Sequence, residues 1–549
     1  MGNMSATQSR FFFLRAVSKK QFPVRTACAL WPLLLLQTMP APAQGQYVYE
    51  SSNSTVTINR YTGPGGAVTV PDTINGLPVT RIAGYAFAYQ PEVTSVTIPD
   101  SVTGIGEYAF YFCSGLTSAL IPNSVTNIGS YAFSACSSLV DFTIPNRVTS
   151  IGQRMFSDCA NLASIRIPNS VTNIGPAAFF SCTSLTNVAI PSSVTSIDNW
   201  AFFYCISLRA IMVDTLNPVF RSVDGVVFDK SQSLLILCPG GRTGDYAIPN
   251  GVTGIANNAF DNCRSLASVA IPASVTNIGS YAFLYCTSLT SVTFSNSPTG
   301  IGVFAFYSCT NLTNVVFSES VFAIDYAAFG YCGNLTSITI PDSVTDIGDG
   351  AFIYCAGLTS VTLSSSLTSI GASTFAFCSG LSSVTIPNSV TSIGHEAFYN
   401  CTNLATVTIP KSVSSIENNG FTYCFSLTGI YFQGDSPNVG SGVFAGANNA
   451  TVYYLPGTTG WGTTFAGRPT VLWNPLVRTS DASFGVRTNR FGFTITGASN
   501  LVLVVEASTN PTNPAWIPVG TNTLTGGSSY FSDPQWTNYP VRFYRLRSP

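Results

Sequence analysis

The chain has 549 residues, of which only 9% are charged, and its formal net charge is −1. That balance leaves no basic face for nucleic acid. A single histidine rules out multi-histidine metal sites and leaves His395 as the only imidazole for a catalytic triad. Apolar residues make up 46% of the chain and glycine is abundant, which describes a repetitive β-rich exported chain better than a cytosolic enzyme.

Residues 1–43 are expected to be a signal peptide. Arg10, Arg15, Lys19, Lys20 and Arg25 precede an apolar run from Ala27 to Leu36, and Ala41-Pro42-Ala43 offers a small-residue cleavage site before Gln44. The run falls well short of the ~20 residues needed to span a bilayer, and no later stretch qualifies, so no membrane span is expected in the mature chain. Residues 44–81 are expected to form an N-terminal β cap. Thr55-Val56-Thr57-Ile58 and Val68-Thr69-Val70-Pro71 read as strands, split by Gly63-Pro64-Gly65-Gly66.

From Ile82 to residue 446 the chain repeats every 23 residues. The consensus is I-G-x-x-A-F-x-x-C-x-x-L-x-S-V-T-I-P-x-S-V-T-x. Cysteine recurs at Cys113, Cys136, Cys159, Cys182 and Cys205, then at Cys263, Cys286, Cys309, Cys332, Cys355, Cys378, Cys401 and Cys424. Phenylalanine keeps the same beat three residues earlier, from Phe87 to Phe444, and leucine three residues later, from Leu116 to Leu427. The alternation in Val384-Thr385-Ile386-Pro387 predicts a short strand with one buried face, ended by proline. The spacing of Phe398, Cys401 and Leu404 predicts a short 3₁₀-like helical turn with all three pointing inward. One coil cannot bury its own apolar face, but stacked neighbours can.

A period of this length means stacked coils. The motif L-x-x-V-x-I-P-x-S-V-T-x-I-G-x-x-A-F-x-x-C resembles that of the BspA-like, Treponema-type bacterial leucine-rich repeat surface proteins. The resemblance covers about fourteen coils and roughly two thirds of the chain. It implies a leucine-rich repeat solenoid of 23-residue coils, with a parallel β-sheet and short helical turns. It also implies a cell-surface protein that binds other proteins or extracellular matrix.

The one irregular step, from Cys205 to Cys263, places a β insertion near 214–248, with Asp224-Gly225 as a hairpin turn. Its charges, Asp214, Arg221, Asp224, Asp229, Lys230, Arg242 and Asp245, are dense for this chain. They leave a ligand-binding loop as the alternative to a plain β excursion. Residues 447–475 read as a C-terminal cap and linker. Residues 476–549 lose the repeat and alternate in Phe491–Ile495, Leu501–Glu506 and Val541–Leu546, which predicts a small antiparallel β-sandwich.

The in-register cysteines read as a buried thiol ladder, with neither a Cys-x-x-Cys pair nor a histidine partner for zinc, so no metal and no cofactor is expected. Cys238, outside that ladder, is the candidate for an exposed thiol. Nothing around His395 suggests a nucleophile, and no carboxylate pair stands out, so no catalysis is expected. Outward strand positions carry Thr97, Thr143, Arg166, Thr293, Thr339, Thr362, Thr385 and Thr408. Beside them lie Ser95, Ser118, Ser164, Ser268, Ser291, Ser337, Ser360 and Ser383. They form a candidate recognition face for protein or polysaccharide, although threonine also simply suits exposed strands. A second stripe, Phe112, Tyr204, Tyr285, Tyr331, Tyr354, Phe377 and Tyr423, either covers the flank of the next coil or stacks sugars. Protein binding is the leading expectation. The alternative is polysaccharide binding through the aromatic stripe or the C-terminal β module.

Overall fold

Residue Val96 is buried and Thr97 beside it is exposed, and this alternation recurs in coil after coil. In the computed structural model, which describes residues 43–295, 299–499, 501–510, 512 and 515–547, these strands lie side by side as a parallel sheet. Ser337–Thr339, Ser360–Thr362, Ser383–Thr385, Thr406–Ile409 and Gly429–Phe432 pair in one register, so Ile338, Val361, Val384, Val407 and Ile430 line up inside. All but Ala43 of the expected leader lies outside the described residues.

Most coils contribute a second strand that the sequence did not suggest. The two residues that end at the repeat isoleucine, such as Ser369–Ile370, Ser392–Ile393 and Ser415–Ile416, pair in parallel as two-residue strands. The presumed caps also belong to the stack. Gly66–Thr69 pairs in parallel with Val93–Thr97, and Thr451–Tyr454 with both Gly429–Phe432 and Arg468–Leu472. The count of coils therefore rises from fourteen to about 17.

The expected helical turn is a run of β-turns instead. The Cys401 N–H donates to the Phe398 carbonyl at 3.3 Å, and that of Leu404 to the Cys401 carbonyl at 3.1 Å, as the spacing requires. Asn400 between them has φ 58°, in the left-handed region, which stops a 3₁₀ helix from continuing. Most coils hold two such residues four positions apart, for example Tyr281 at φ 61° and Tyr285 at φ 57°.

Phe, Cys and Leu are fully buried in column. The phenyl rings stack coil on coil, at 4.9 Å for Phe87–Phe110 and 5.5 Å for Phe375–Phe398. The column breaks once, between Phe202 and Phe260, where the insertion enters, and the apolar interior divides there into two clusters. Twelve of the thirteen ladder cysteines donate Sγ–H to the phenylalanine carbonyl 26 residues back, at 3.0–3.3 Å. Threonine hydroxyls add parallel ladders, as in Thr391 to the Thr368 carbonyl at 3.1 Å and Thr359 to that of Thr336 at 3.0 Å.

The insertion is a β excursion. Phe220–Val223 and Val226–Asp229 form an antiparallel hairpin around Asp224 (φ 51°) and Gly225 (φ 77°), a pair of left-handed residues that suits a tight hairpin. Leu234–Leu237 then pairs in parallel with Gly254–Ile255 and rejoins the short-strand ladder. The C-terminal module has two antiparallel sheets. One holds Leu476–Arg478, Gly485–Arg487, Arg490–Thr496 and Ser528–Asp533, the other Val502–Ser508, Ile517–Thr523 and Phe543–Arg547.

Candidate recognition surface

Parallel register puts the predicted outward residues in one column. Thr143 lies beside Arg166, Thr339 beside Thr362, and Thr385 beside Thr408. Thr97, Thr143, Arg166, Thr293, Thr339, Thr362 and Thr385 are exposed, and Thr408 is half-buried. The column also contains residues the repeat consensus hides. Leu120 sits beside Thr97, Met212 beside Ala189, and Val316 beside Thr293. Leu120 is 67% exposed, an apolar side chain standing in water where its neighbours carry hydroxyls.

Among the described strand residues of this face, charge is carried by Asp141, Arg166 and Asp245. Asp245 accepts a hydrogen bond from Ser268 at 2.6 Å. Asp141 and Arg166 lie on adjacent strands, two residues out of step, and make no ion pair among the described residues. Together with Ser95, Ser118, Leu120 and Asn146 they line a groove of about 630 Å³. The periodicity concealed it, because Asp141 and Leu120 read as departures from a hydroxyl column.

At its C-terminal end the same column turns aromatic. Tyr431 follows Thr408, and Tyr453 follows Tyr431 with the two rings stacked at 4.8 Å. Both are buried against Phe493, Ile495, Leu503, Val505 and Phe531 of the C-terminal module. The module therefore packs its core on the outward face of the long sheet.

The aromatic stripe lies on the turn edge, and every member has a left-handed backbone, from Phe112 at φ 59° to Tyr423 at φ 61°. Tyr331 and Tyr354 stack at 4.4 Å, Tyr354 and Phe377 at 4.2 Å, so these rings lie face to face on one another. Tyr204 carries the Arg264 guanidinium over its ring at 4.8 Å. Phe112, Tyr285, Tyr331 and Tyr423 remain exposed.

All thirteen ladder cysteines are buried free thiols, and burial pushes those of Cys113, Cys205, Cys355 and Cys424 up to about 12. Cys238 is not the exposed thiol the sequence suggested. It is 2% exposed, because the returning strand of the insertion carries it into the core. Among the described residues no group of three or more His, Cys, Asp and Glu is placed to hold a metal ion. His395 is exposed, with Nε2 3.5 Å from the Glu396 carboxylate.

Several of the insertion's charges bind the insertion to itself. Lys230 Nζ donates to the carbonyls of Thr215 at 3.1 Å and Asn217 at 2.5 Å. Arg242 donates to the Asp224 carbonyl at 2.8 Å, and Asp229 accepts from the Leu234 N–H at 2.7 Å.

Residues 80–209, 243–359 and 346–462 match the BspA type leucine rich repeat region in six copies. Among solved structures, the chain is similar to a leucine rich cell surface protein from Faecalibacterium prausnitzii A2-165, with 32% identity over 66% of this chain and 93% of that one and a TM-score of 0.46. It is similar to the pneumococcal vaccine antigen PcpA at 21% identity, covering 72% of this chain and 97% of that one, with a TM-score of 0.49. A leucine-rich repeat protein from Eubacterium ventriosum shares 21% identity over 76% of this chain and 95% of that one, with a TM-score of 0.42. No curated protein matches the chain. Among the described residues no helix is long and apolar enough to cross a membrane. The matched repeats, stacked as coils with one inward column each of Phe, Cys and Leu, cover more than half of the sequence, and the chain belongs to the BspA-type leucine-rich repeat family.

Proposed function

We propose that the chain is an exported surface scaffold that binds a protein partner on the outward face of its long sheet, without catalysis. Residues 1–43 would direct export, 44–475 would form the repeat scaffold with its caps, and 476–549 would be the C-terminal module. The observation that carries this reading is the groove around Asp141 and Arg166. Two opposite charges, without ion partners among the described residues, stand there beside exposed Leu120, on a face that elsewhere carries mostly small hydroxyl side chains. Such a site gives a partner both an apolar anchor and two charges to satisfy, and charge complementarity supplies specificity. The hydroxyl positions Thr293, Thr339, Thr362, Thr385 and Thr408 would extend the contact along the sheet.

The turn edge supports the sugar-binding alternative less well. A pyranose stacks on an open ring face, and Tyr354, at the centre of the stripe, spends both of its faces on Tyr331 and Phe377.

The test is capture of partners from extracellular matrix and from neighbouring cells, repeated with Asp141→Lys, Arg166→Glu and Leu120→Ser. A protein captured by the parent chain and lost with each face variant supports the reading. Capture that survives all three overturns it.

A further inference from the structure

One ladder cysteine, Cys263, lacks the phenylalanine carbonyl that the others use. The insertion brings Leu237, Cys238 and Pro239 to the place where the preceding coil would present its phenylalanine. The Cys238 N–H donates to the Ala259 carbonyl at 2.6 Å, as the Phe260 N–H does to that of Ala282 at 2.7 Å and the Phe110 N–H to that of Ala132 at 2.8 Å. Cys238 therefore holds the phenylalanine place of its coil, buried in the core at the break in the ring column. We propose that Cys238 and Cys263 are oxidised to a disulfide as the chain folds, pinning the insertion to the coil that follows it.

Three observations carry this. The first is contact. The thiol of Cys263 is hydrogen-bonded to that of Cys238, so the two sulfurs are neighbours in the core. Cys286 and Cys309 also touch, but each is held to a phenylalanine carbonyl, at 3.0 and 3.2 Å.

The second is what oxidation removes. At Cys355 it would strip the 3.1 Å bond to the Phe329 carbonyl and leave that buried acceptor unmet. Cys263 has only long contacts to lose, 3.8 Å to the Cys238 carbonyl and 3.5 Å to that of Pro239. Cys238 has only one, 3.9 Å to its neighbour Pro239.

The third is space. A thiol is smaller than the ring it replaces, and a void of about 10 Å³ remains beside Phe202, Cys238 and Pro239. The sulfur has room to turn toward its partner, in a core where the other ladder thiols are closely packed.

The chemistry is dithiol–disulfide exchange. Two S–H bonds break and one S–S bond forms. The two electrons and two protons pass to a disulfide donor, which leaves as two thiols. An oxidising compartment holds such donors, and to that extent the proposal rests on the export reading. The hydrogen bond to Cys238 and burial push the Cys263 thiol well above its ordinary value, so the exchange belongs to folding, before the coils close.

The experiment refolds the reduced full chain in glutathione and glutathione disulfide. The folded fraction is denatured, its remaining thiols are alkylated, and it is cut with trypsin. Cleavage after Lys230, Arg242 and Arg264 leaves Cys238 alone on peptide 231–242 and Cys263 alone on peptide 243–264. These two peptides are expected joined, with the other ladder cysteines alkylated. The joined chain should melt at a higher temperature than the same chain kept in reductant. Cys238→Ser and Cys263→Ser should each abolish both the joined peptide and that difference. Recovery of both peptides singly alkylated overturns the proposal. So does linkage of either to Cys286, or an equal melting temperature with and without the link. Glutathione disulfide is supplied, so a missing link defeats this proposal and leaves the export reading standing. A leader that does not export the chain defeats only that reading.

Discussion

The Sγ–H of Cys355 donates to the carbonyl of Phe329, one coil back, at 3.1 Å. That bond explains why the repeat carries cysteine at this position. The site needs a small apolar side chain that can still give one weak donor to a buried carbonyl. Cys355→Ala leaves the Phe329 carbonyl without this donor and opens a void, and should cost about 1–3 kcal/mol. The fall in melting temperature of the full chain measures it. The same burial makes the thiols unreactive. With Cys113 and Cys355 pushed up to about 12, the thiolate fraction at pH 8 is about 10⁻⁴. Ellman's reagent should therefore find no described thiol in the native reduced chain, and all of them after denaturation.

Asn217 is the anchor of the insertion. It is fully buried, and all four of its side-chain hydrogen bonds are made. Nδ2 donates to the carbonyls of Pro191 at 2.9 Å and Val194 at 2.8 Å, and Oδ1 accepts from the N–H groups of Val219 and Phe220 at 2.9 and 2.8 Å. Asn217→Ala strands four backbone groups, three of them on buried residues, and should lower stability by about 3 kcal/mol or more. Limited proteolysis followed by mass spectrometry should show new cleavage within 214–248 before the repeats on either side are cut.

The left-handed aromatic residues on the turn edge carry a backbone cost of about 1–2 kcal/mol each. Tyr354 recovers it by stacking between Tyr331 and Phe377. Tyr285, at φ 57°, has no such ring stack among the described residues. Asparagine tolerates this conformation better than tyrosine. Tyr285→Asn should be neutral or raise stability by up to about 1 kcal/mol, whereas Tyr354→Asn should lower it by about 1 kcal/mol, since two ring pairs are lost. Melting temperatures of the two variants, compared with the parent, decide the point.

The repeat period made the inward columns legible in the sequence. Phe, Cys and Leu recur at fixed offsets, and only one arrangement of stacked coils turns all three inward. The short second strand was not legible, because two residues such as Ser392–Ile393 cannot display a period. Nor were the left-handed turns, since Tyr and Phe are poor local signals for positive φ and the stacking of coils imposes it. The seat of the C-terminal module did leave a trace. The outward column changes from Thr408 to Tyr431 and Tyr453, and large aromatic residues at positions meant for water signal that something covers them.

Glu506 makes the module sensitive to acid. Burial pushes its carboxyl up, but the hydrogen bonds and charges of Arg547 and Arg545, at 2.6 and 2.7 Å, outweigh burial and hold it below the ordinary glutamate value. A folded-state value below the unfolded one means stability that is present above the unfolded value and lost as pH falls through the folded one. The module should therefore lose stability on acidification below about pH 4.5, near the ordinary glutamate value. Glu506→Gln should be less stable at neutral pH and should show a smaller acid-induced loss. Thermal melts followed by tyrosine and tryptophan absorbance between neutral pH and pH 3 test this.

The direct test of where the scaffold binds is hydroxyl-radical footprinting of the chain with and without its captured protein partner. Leu120 and Met212 report on the outward sheet face, and Tyr331 and Tyr423 on the turn edge, all four being exposed in the free chain. Recognition by the sheet predicts that oxidation of Leu120 falls on binding, with Met212 following if the contact spreads along the column, while Tyr331 and Tyr423 are modified as before. Protection of Tyr331 and Tyr423 with Leu120 still fully oxidised would contradict it.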